Sequence, residues 1–209
     1  MDNKAITAGV RIGGLNDRTQ IKILLCYLLA TIDKPITDRQ FIERVCGQEL
    51  VNYFEMRNAL AQLCENGMIE KTDAGYVILP EGKDVARQLE DDVPGHVKKY
   101  AYNMVVALLQ YDALKKQNKV EIIPTGEKEY TVRCKLEDEN FSIFSMDIHM
   151  PDKSFAEKAA QQFILSGRDM FKVILGMILD SPDIYKDALK DGALKKPEWA
   201  DLDGMNNRQ

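Results

Sequence analysis

The stretch LAQLCENGMIEKTDAGYVILPEGK, residues 60–83, does most to limit what this chain can fold into. It reads as the end of a helix, a glycine stop, two short strands around a tight turn, and the start of another helix. Three helices with their own start signals precede or enter it. Asp17 opens the first, with Gln20 placed three residues on as the partner of a capping box. Ile21, Leu24, Leu25, Leu28 and Ile32 recur at helical spacing, giving one apolar stripe to about Thr31, and Pro35 biases Lys34 away from helical dihedrals. Thr37 starts the second helix with Gln40 as its partner, Phe41 and Val45 inward and Gly47 as its stop. Asn52 caps the third with Glu55 at the matching position, Met56, Leu60 and Leu63 line its core face, and Gly67 ends it. MIEK and YVIL alternate as strands do, and TDAG between them turns because Gly75 accepts positive φ. Pro80 suits the first turn of a fourth helix with Val85 and Leu89 inward. Helix, helix, helix, strand, strand, helix is the winged-helix plan, in which the third helix is the recognition helix.

The remainder predicts an α+β chain. Residues 1–16 contain glycines and little pattern, and are expected to be a flexible arm ahead of a winged-helix domain over 17–92. The charge run and Pro-Gly of EDDVPG, residues 90–95, mark the boundary, and a second domain is expected over 93–180. It opens on a long helix from Gly95 to Gln117, where Val97, Ala101, Met104, Leu108 and Tyr111 recur at spacings of four and three. That seam fits a helix pair between two copies as well as packing within one chain. From Val120 to Met150 the period becomes two, and VEIIP, EYTVRCKLE and FSIFSMDIHM, parted by PTGE and EDEN, predict a three-stranded antiparallel meander. Ser154 with Glu157 is expected to cap a last long helix to about Asp180, striped by Phe163, Met170, Ile174 and Ile178. Residues 181–209 read as a short helix and a loose tail.

Composition narrows the function classes. Of 209 residues, 45% are hydrophobic and 29% charged, as in ordinary globular domains. No apolar run approaches the length of a membrane span, and MDNKAITAGVRIGG lacks the apolar centre of a leader, so a cytoplasmic protein is expected. Cys26, Cys46, Cys64 and Cys134 are scattered, without CxxC spacing, and read as reduced buried thiols. A net charge of −5 argues against a protein that coats nucleic acid, while leaving room for a small local contact surface. No nucleotide cradle, metalloprotease, hydrolase or calcium-loop motif is present, so neither an enzyme nor a cofactor is expected. His149 and Asp147 share a strand face without a third ligand. Met146, Met150, Met170 and Met177 read as core, with a ligand pocket or a dimer face as the other readings.

KILLCYLLATIDKPITDRQFIERV, NYFEMRNALAQLCENGMIEK and YVILPEGK, followed by a meander and a long helix, resemble the bacterial family called domain of unknown function 4364. That family occurs mainly in Firmicutes and is usually labelled a winged-helix regulator. The resemblance covers roughly Asp17 to Asp180, and NYF at the start of the third helix is its most distinctive element. It implies a winged helix and a regulatory, DNA-binding role.

With Met56, Leu60 and Leu63 turned inward, Tyr53, Phe54, Arg57, Asn58 and Gln62 fall on the outward side of the third helix. Arg suits guanine edges, Asn and Gln adenine, and aromatic rings the thymine methyl. Thr37, Arg39 and Gln40 begin the second helix, a usual place for phosphate contacts, and Lys71 can reach the backbone from the hairpin. Yet residues 37–75 hold four Lys/Arg against seven Asp/Glu. Glu55 is assigned to a cap, Glu65 to the far end of the third helix and Glu43 to one turn along the second, so these acids are expected to point away from a duplex. From the arm through the first helix, Lys4, Arg11, Arg18 and Lys22 outnumber Asp2 and Asp17, so the arm is a candidate for an adjacent minor groove. The expected partner is double-stranded DNA held by a homodimer, joined through the Val97–Tyr111 seam or the last helix. Two other readings compete. In one the winged helix contacts proteins, with Tyr53 and Phe54 as hot spots. In the other the meander senses a small ligand.

Overall fold

The protein is described by a computed structural model over residues 3–138, 141–184 and 186. It is α+β and divides into two compact units, residues 1–108 and 109–209.

In the first unit, α1 (Arg18–Ile32) starts on Asp17, whose carboxylate accepts the N–H groups of Thr19 and Gln20. The capping box expected there does not form, because the Gln20 side chain donates to the Asp92 carbonyl at 2.8 Å. Nearly every side of α1 is covered: Ile21, Ile23, Leu24, Leu25, Cys26, Leu28 and Leu29 are buried. Its last carbonyls are closed by Asp33, in the left-handed region at φ 51°. Thr37 and Gln40 do form their box, opening α2 (Asp38–Phe41), which continues as one wide turn through Ile42–Cys46. Gly47 ends that turn at an ordinary φ of −61°. It is needed for space, since a Cβ there would lie 2.5 Å from the Glu43 carbonyl oxygen. α3 (Tyr53–Glu65) starts on Asn52 and closes with Gly67 at φ +67°. The Gly67 and Met68 N–H groups return to Cys64 and Leu63, the paired bonds of a Schellman stop.

The hairpin β1 (Ile69–Thr72) and β2 (Gly75–Ile78) pairs Thr72 with Gly75 across a two-residue turn. Ile36 bonds both ways to Tyr76, adding a one-residue third strand. Gly75, at φ +130°, has Ile36 backbone atoms within 3 Å of where a Cβ would sit, so close approach as well as conformation requires it. α4 (Pro80–Leu89) follows, but it turns Gly82 and Ala86 inward; Val85 is half-buried and Leu89 38% exposed. The residues expected as its inner face are displaced because a glycine admits the Met68 carbonyl to that side.

Residues 3–16 are laid down rather than loose. Ala5 and Leu15 are buried, and the N–H groups of Arg11 and Leu15 donate to the carbonyls of Glu49 and Leu50, each at 2.8 Å. A Cβ at Gly14 would strike Val10 and the same two carbonyls. At 90–95 the chain makes a short 3-10 turn (Glu90–Asp92) and enters α5 (Gly95–Gln117), which runs from the first unit into the second. Val97, Ala101, Met104 and Leu108 are at most 2% exposed within the single chain, and Val105 and Ala107 are buried beside them. Tyr111, the last residue of the expected seam, is half-buried.

The second unit holds an antiparallel sheet in the order β3 (Asn118–Pro124), β4 (Tyr130–Asp138), β5 (Phe141–Met150), covered on one face by α6 (Lys153–Ile178). Val132, Cys134 and Leu136 of β4 meet Ala156, Ala160 and Phe163 of α6 in a common core. Met146, Met150 and Met170 pack around it, while Met177 is 69% exposed. α6 is capped by Asp152, which accepts the Phe155 N–H at 2.9 Å, not by Ser154; Glu157 pairs with Lys153 instead. The helix bends at Ser166. There the Asn118 side chain, 1% exposed, donates to the Ile164 carbonyl at 2.7 Å. Within the stretch 181–209 expected to hold a short helix, residues 182–184 are helical; the rest of that stretch, apart from residues 181 and 186, and residues 139–140 of the expected turn lie outside the described residues.

Candidate nucleic-acid interface

The cap at Asn52 sets the geometry. Its Oδ1 accepts from Phe54 N at 2.9 Å and Glu55 N at 3.3 Å, and its Nδ2 donates to the Ala8 carbonyl at 2.7 Å. The first turn of α3 is thus fixed to the arm, and the helix buries Met56, Ala59, Leu60 and Leu63. Tyr53, Phe54, Arg57, Asn58 and Gln62 come out on the other side, as their spacing predicts. Tyr53 is 43% and Phe54 70% exposed, with their rings edge to face at 5.5 Å. Gln62 Nε2 donates to Asn58 Oδ1 at 3.3 Å, holding those two amides as a pair.

Charge on this surface is organised by Asp38, which the sequence reading passed over. Its Oδ1 accepts from Arg57 Nη1 and, at 3.1 Å, from the Tyr76 hydroxyl; its Oδ2 accepts from Lys71 Nζ at 2.9 Å. Burial pushes the Asp38 carboxyl up, but the Lys71 ammonium, the Tyr76 hydroxyl and the Arg57 guanidinium outweigh it and hold the group below the usual carboxylate range. The Lys71 ammonium, bonded to Asp38, is raised in turn. Two of the three cations picked out for duplex contact, Arg57 and Lys71, are joined through one carboxylate. Arg39 is paired along its own helix, Nε to Glu43 Oε1 at 2.7 Å. Thr37 and Gln40 bond to each other, and Gln40 is buried.

Glu55 differs from its expected capping role. It is 4% exposed and accepts from Arg18 Nε at 3.0 Å, Arg18 Nη2 at 3.1 Å and the Ile6 N–H at 2.9 Å. The Arg18 bond, with Ile6 behind it, keeps this carboxyl below the usual range despite burial. One acid of the acidic module is thereby neutralised, along with the first cation of α1. Arg11 lies 4.3 Å over the Tyr100 ring, so it too is held by the fold.

Elsewhere Asp147 is engaged by Arg133 at 3.0 and 2.9 Å, and no group of three metal-ligating side chains occurs among the described residues. All four cysteines are free thiols, and burial pushes Cys26 and Cys134 up to about 11 and Cys46 to about 12. No described helix is long and apolar enough to cross a membrane.

Comparison with known proteins adds three findings. A family model described as "Domain of unknown function (DUF4364)" matches residues 21–178. No curated protein matches. A solved structure described as "Crystal structure of a hypothetical protein at 2.2 A resolution" is 19% identical, with a TM-score of 0.28, and the match covers 72% of this chain and 53% of that one. The chain thus spans about half the length of that structure.

Proposed function

Since this chain belongs to the DUF4364 family, whose description leaves its activity open, we propose from the geometry of α3 that it is a non-enzymatic winged-helix regulator, binding double-stranded DNA as a dimer. The observation that carries this reading is the outer face of α3. Two aromatic rings, one guanidinium and two amides stand on one side of a helix whose other side is core, with Lys71 of the hairpin joined to Arg57 through Asp38. These are the side-chain types that read base edges and position a phosphate backbone. Pairing of Glu55 with Arg18, a cation outside residues 37–75, supports it further, since it offsets part of the repulsion that the bare charge count suggests.

The test is a salt series of binding to the DNA upstream of the protein's own gene. Sequence-dependent binding is expected, weakened about tenfold or more by Arg57→Ala or Asn58→Ala, since a good base contact is worth about 1–3 kcal/mol. No binding even at about 50 mM salt, where phosphate contacts are strongest, counts against the reading. A second reading, a protein-contact module, is favoured by the exposure of Phe54 beside Tyr53 on a surface whose cations are already partnered. In that case Tyr53→Ala and Phe54→Ala abolish partner capture and leave DNA irrelevant.

A further inference from the structure

We propose that two copies of this protein join through the outer edge of β5, the strands running antiparallel about a two-fold axis near Met146, so that two three-stranded sheets become one. This names the interface for the dimer proposed above and rests on that reading for its purpose only.

β5 is the last strand of its sheet and ten residues long, well beyond the usual five or six. In an antiparallel sheet every second residue of an edge strand points its N–H and C=O away from the neighbour. Among the described residues, nothing pairs with those groups on β5. Exposed edges are normally blunted by lysine, proline or shortness. The opposite edge, β3, is blunted in this way by Lys119, Glu121 and Pro124. β5 has no lysine or proline before its end, and its one acid, Asp147, is neutralised within the sheet by Arg133. The register shift against β4 falls at Leu136/Glu137, near the start of β5, and leaves Phe144 to Met150 regularly paired.

The apolar layer beneath also stops short at this edge. β4 alternates fully buried residues, whereas no residue of β5 is fully buried. Phe144, Met146 and Met150 are half-covered, and Phe144 leans on Phe171 of α6 at 5.5 Å between ring centres. A second β5 extends that layer. Its own twin fits because the edge is self-complementary about a two-fold. Centred on Met146, the pairing sets Phe144 against Ile148 and Ser145 against Asp147, and it keeps the two Asp147 side chains apart.

The experiment uses the full chain without DNA. Sedimentation at about 10–100 μM gives the mass, and hydrogen exchange reports the β5 amides. A dimer is expected, with alternate amides between Ser142 and Met150 exchanging more slowly as concentration rises. Ser145→Asp, which opposes Asp147 of the twin at two symmetric places, should weaken the dimer about tenfold. Ser145→Asn, which has the shape of the aspartate without its charge, should leave it intact. A monomeric wild type, a dimer with unprotected outer β5 amides, or equal behaviour of the two variants overturns the proposal. A β5 dimer that binds no duplex would sustain it while removing the regulator reading, and DNA binding by a monomer would do the reverse.

Discussion

Asp38 shows how one carboxylate can decide what a surface offers. It holds Arg57 and Lys71 in fixed positions, but a phosphate must compete with it for both. Replacing it by asparagine keeps the shape and removes the charge. We expect Asp38→Asn to bind duplex more tightly, with a salt slope steeper by about one to two, as measured by fluorescence anisotropy across salt concentrations. An unchanged slope would mean that neither cation touches the backbone. Glu55 makes a different prediction, about stability. Its folded carboxyl titrates below the unfolded value of about 4.3, so the stability it contributes is present above that pH and is lost as pH falls through the lower, folded value. Glu55→Gln should cost about 1–3 kcal/mol at neutral pH by chemical denaturation. The gap to wild type should close in acid, below pH about 4. Neither residue's role was legible in the sequence. Arg18 and Glu55 are 37 positions apart, and Asp38 lies 33 from Lys71, so no local pattern joins them.

At the level of elements, structure is legible in the sequence where the signal is local. The Thr37–Gln40 box, the glycine stop at Gly67, the alternation along β4 and both ends of α5 all follow from neighbours a few residues apart. That legibility fails where a backbone from elsewhere intrudes. A scale that looks for large apolar side chains assigns Val85 and Leu89 to the inner face of α4. The face is instead set by the missing side chain of Gly82, where a Cβ would lie 2.2 Å from the Met68 carbonyl oxygen. Gly167 of α6 is a milder case, with the side chains of Phe163, Asn118 and Leu136 at 3.1 to 3.2 Å from its would-be Cβ. Gly82→Ala should destabilise by about 1–3 kcal/mol or beyond, as overpacking does, whereas at Gly167 the helix propensity of alanine, about 1 kcal/mol, offsets the crowding. Gly82→Ala should cost more, because a carbonyl cannot rotate aside as a side chain can; thermal melts of the two variants compare them directly.

For the molecule as a whole, the largest departure from expectation concerns the first sixteen residues. Weak patterning and glycines suggested looseness, and only the fold reveals that Gly14 is there to let the arm lie on the carbonyls of Glu49 and Leu50. Deleting residues 1–16 is therefore expected to lower the melting temperature of the first unit, with a loss of about 2 kcal/mol or more from uncovering what Leu15 covers. A deletion that leaves the melt unchanged would contradict this packing. The same attachment has a mechanical side. Ala8 and Ile6 grip Asn52 and Glu55, the cap and first turn of α3. A pull applied ahead of Asn3 first loads the start of α1, where Asn3 and Ala5 bond to Asp17, Thr19, Arg18 and Asn16, and then the start of α3. In a force experiment the N-terminal handle would strip the bonds at the start of α1 and then α3's cap before it strained the hairpin, so the face that carries Tyr53 and Phe54 is mechanically linked to that end.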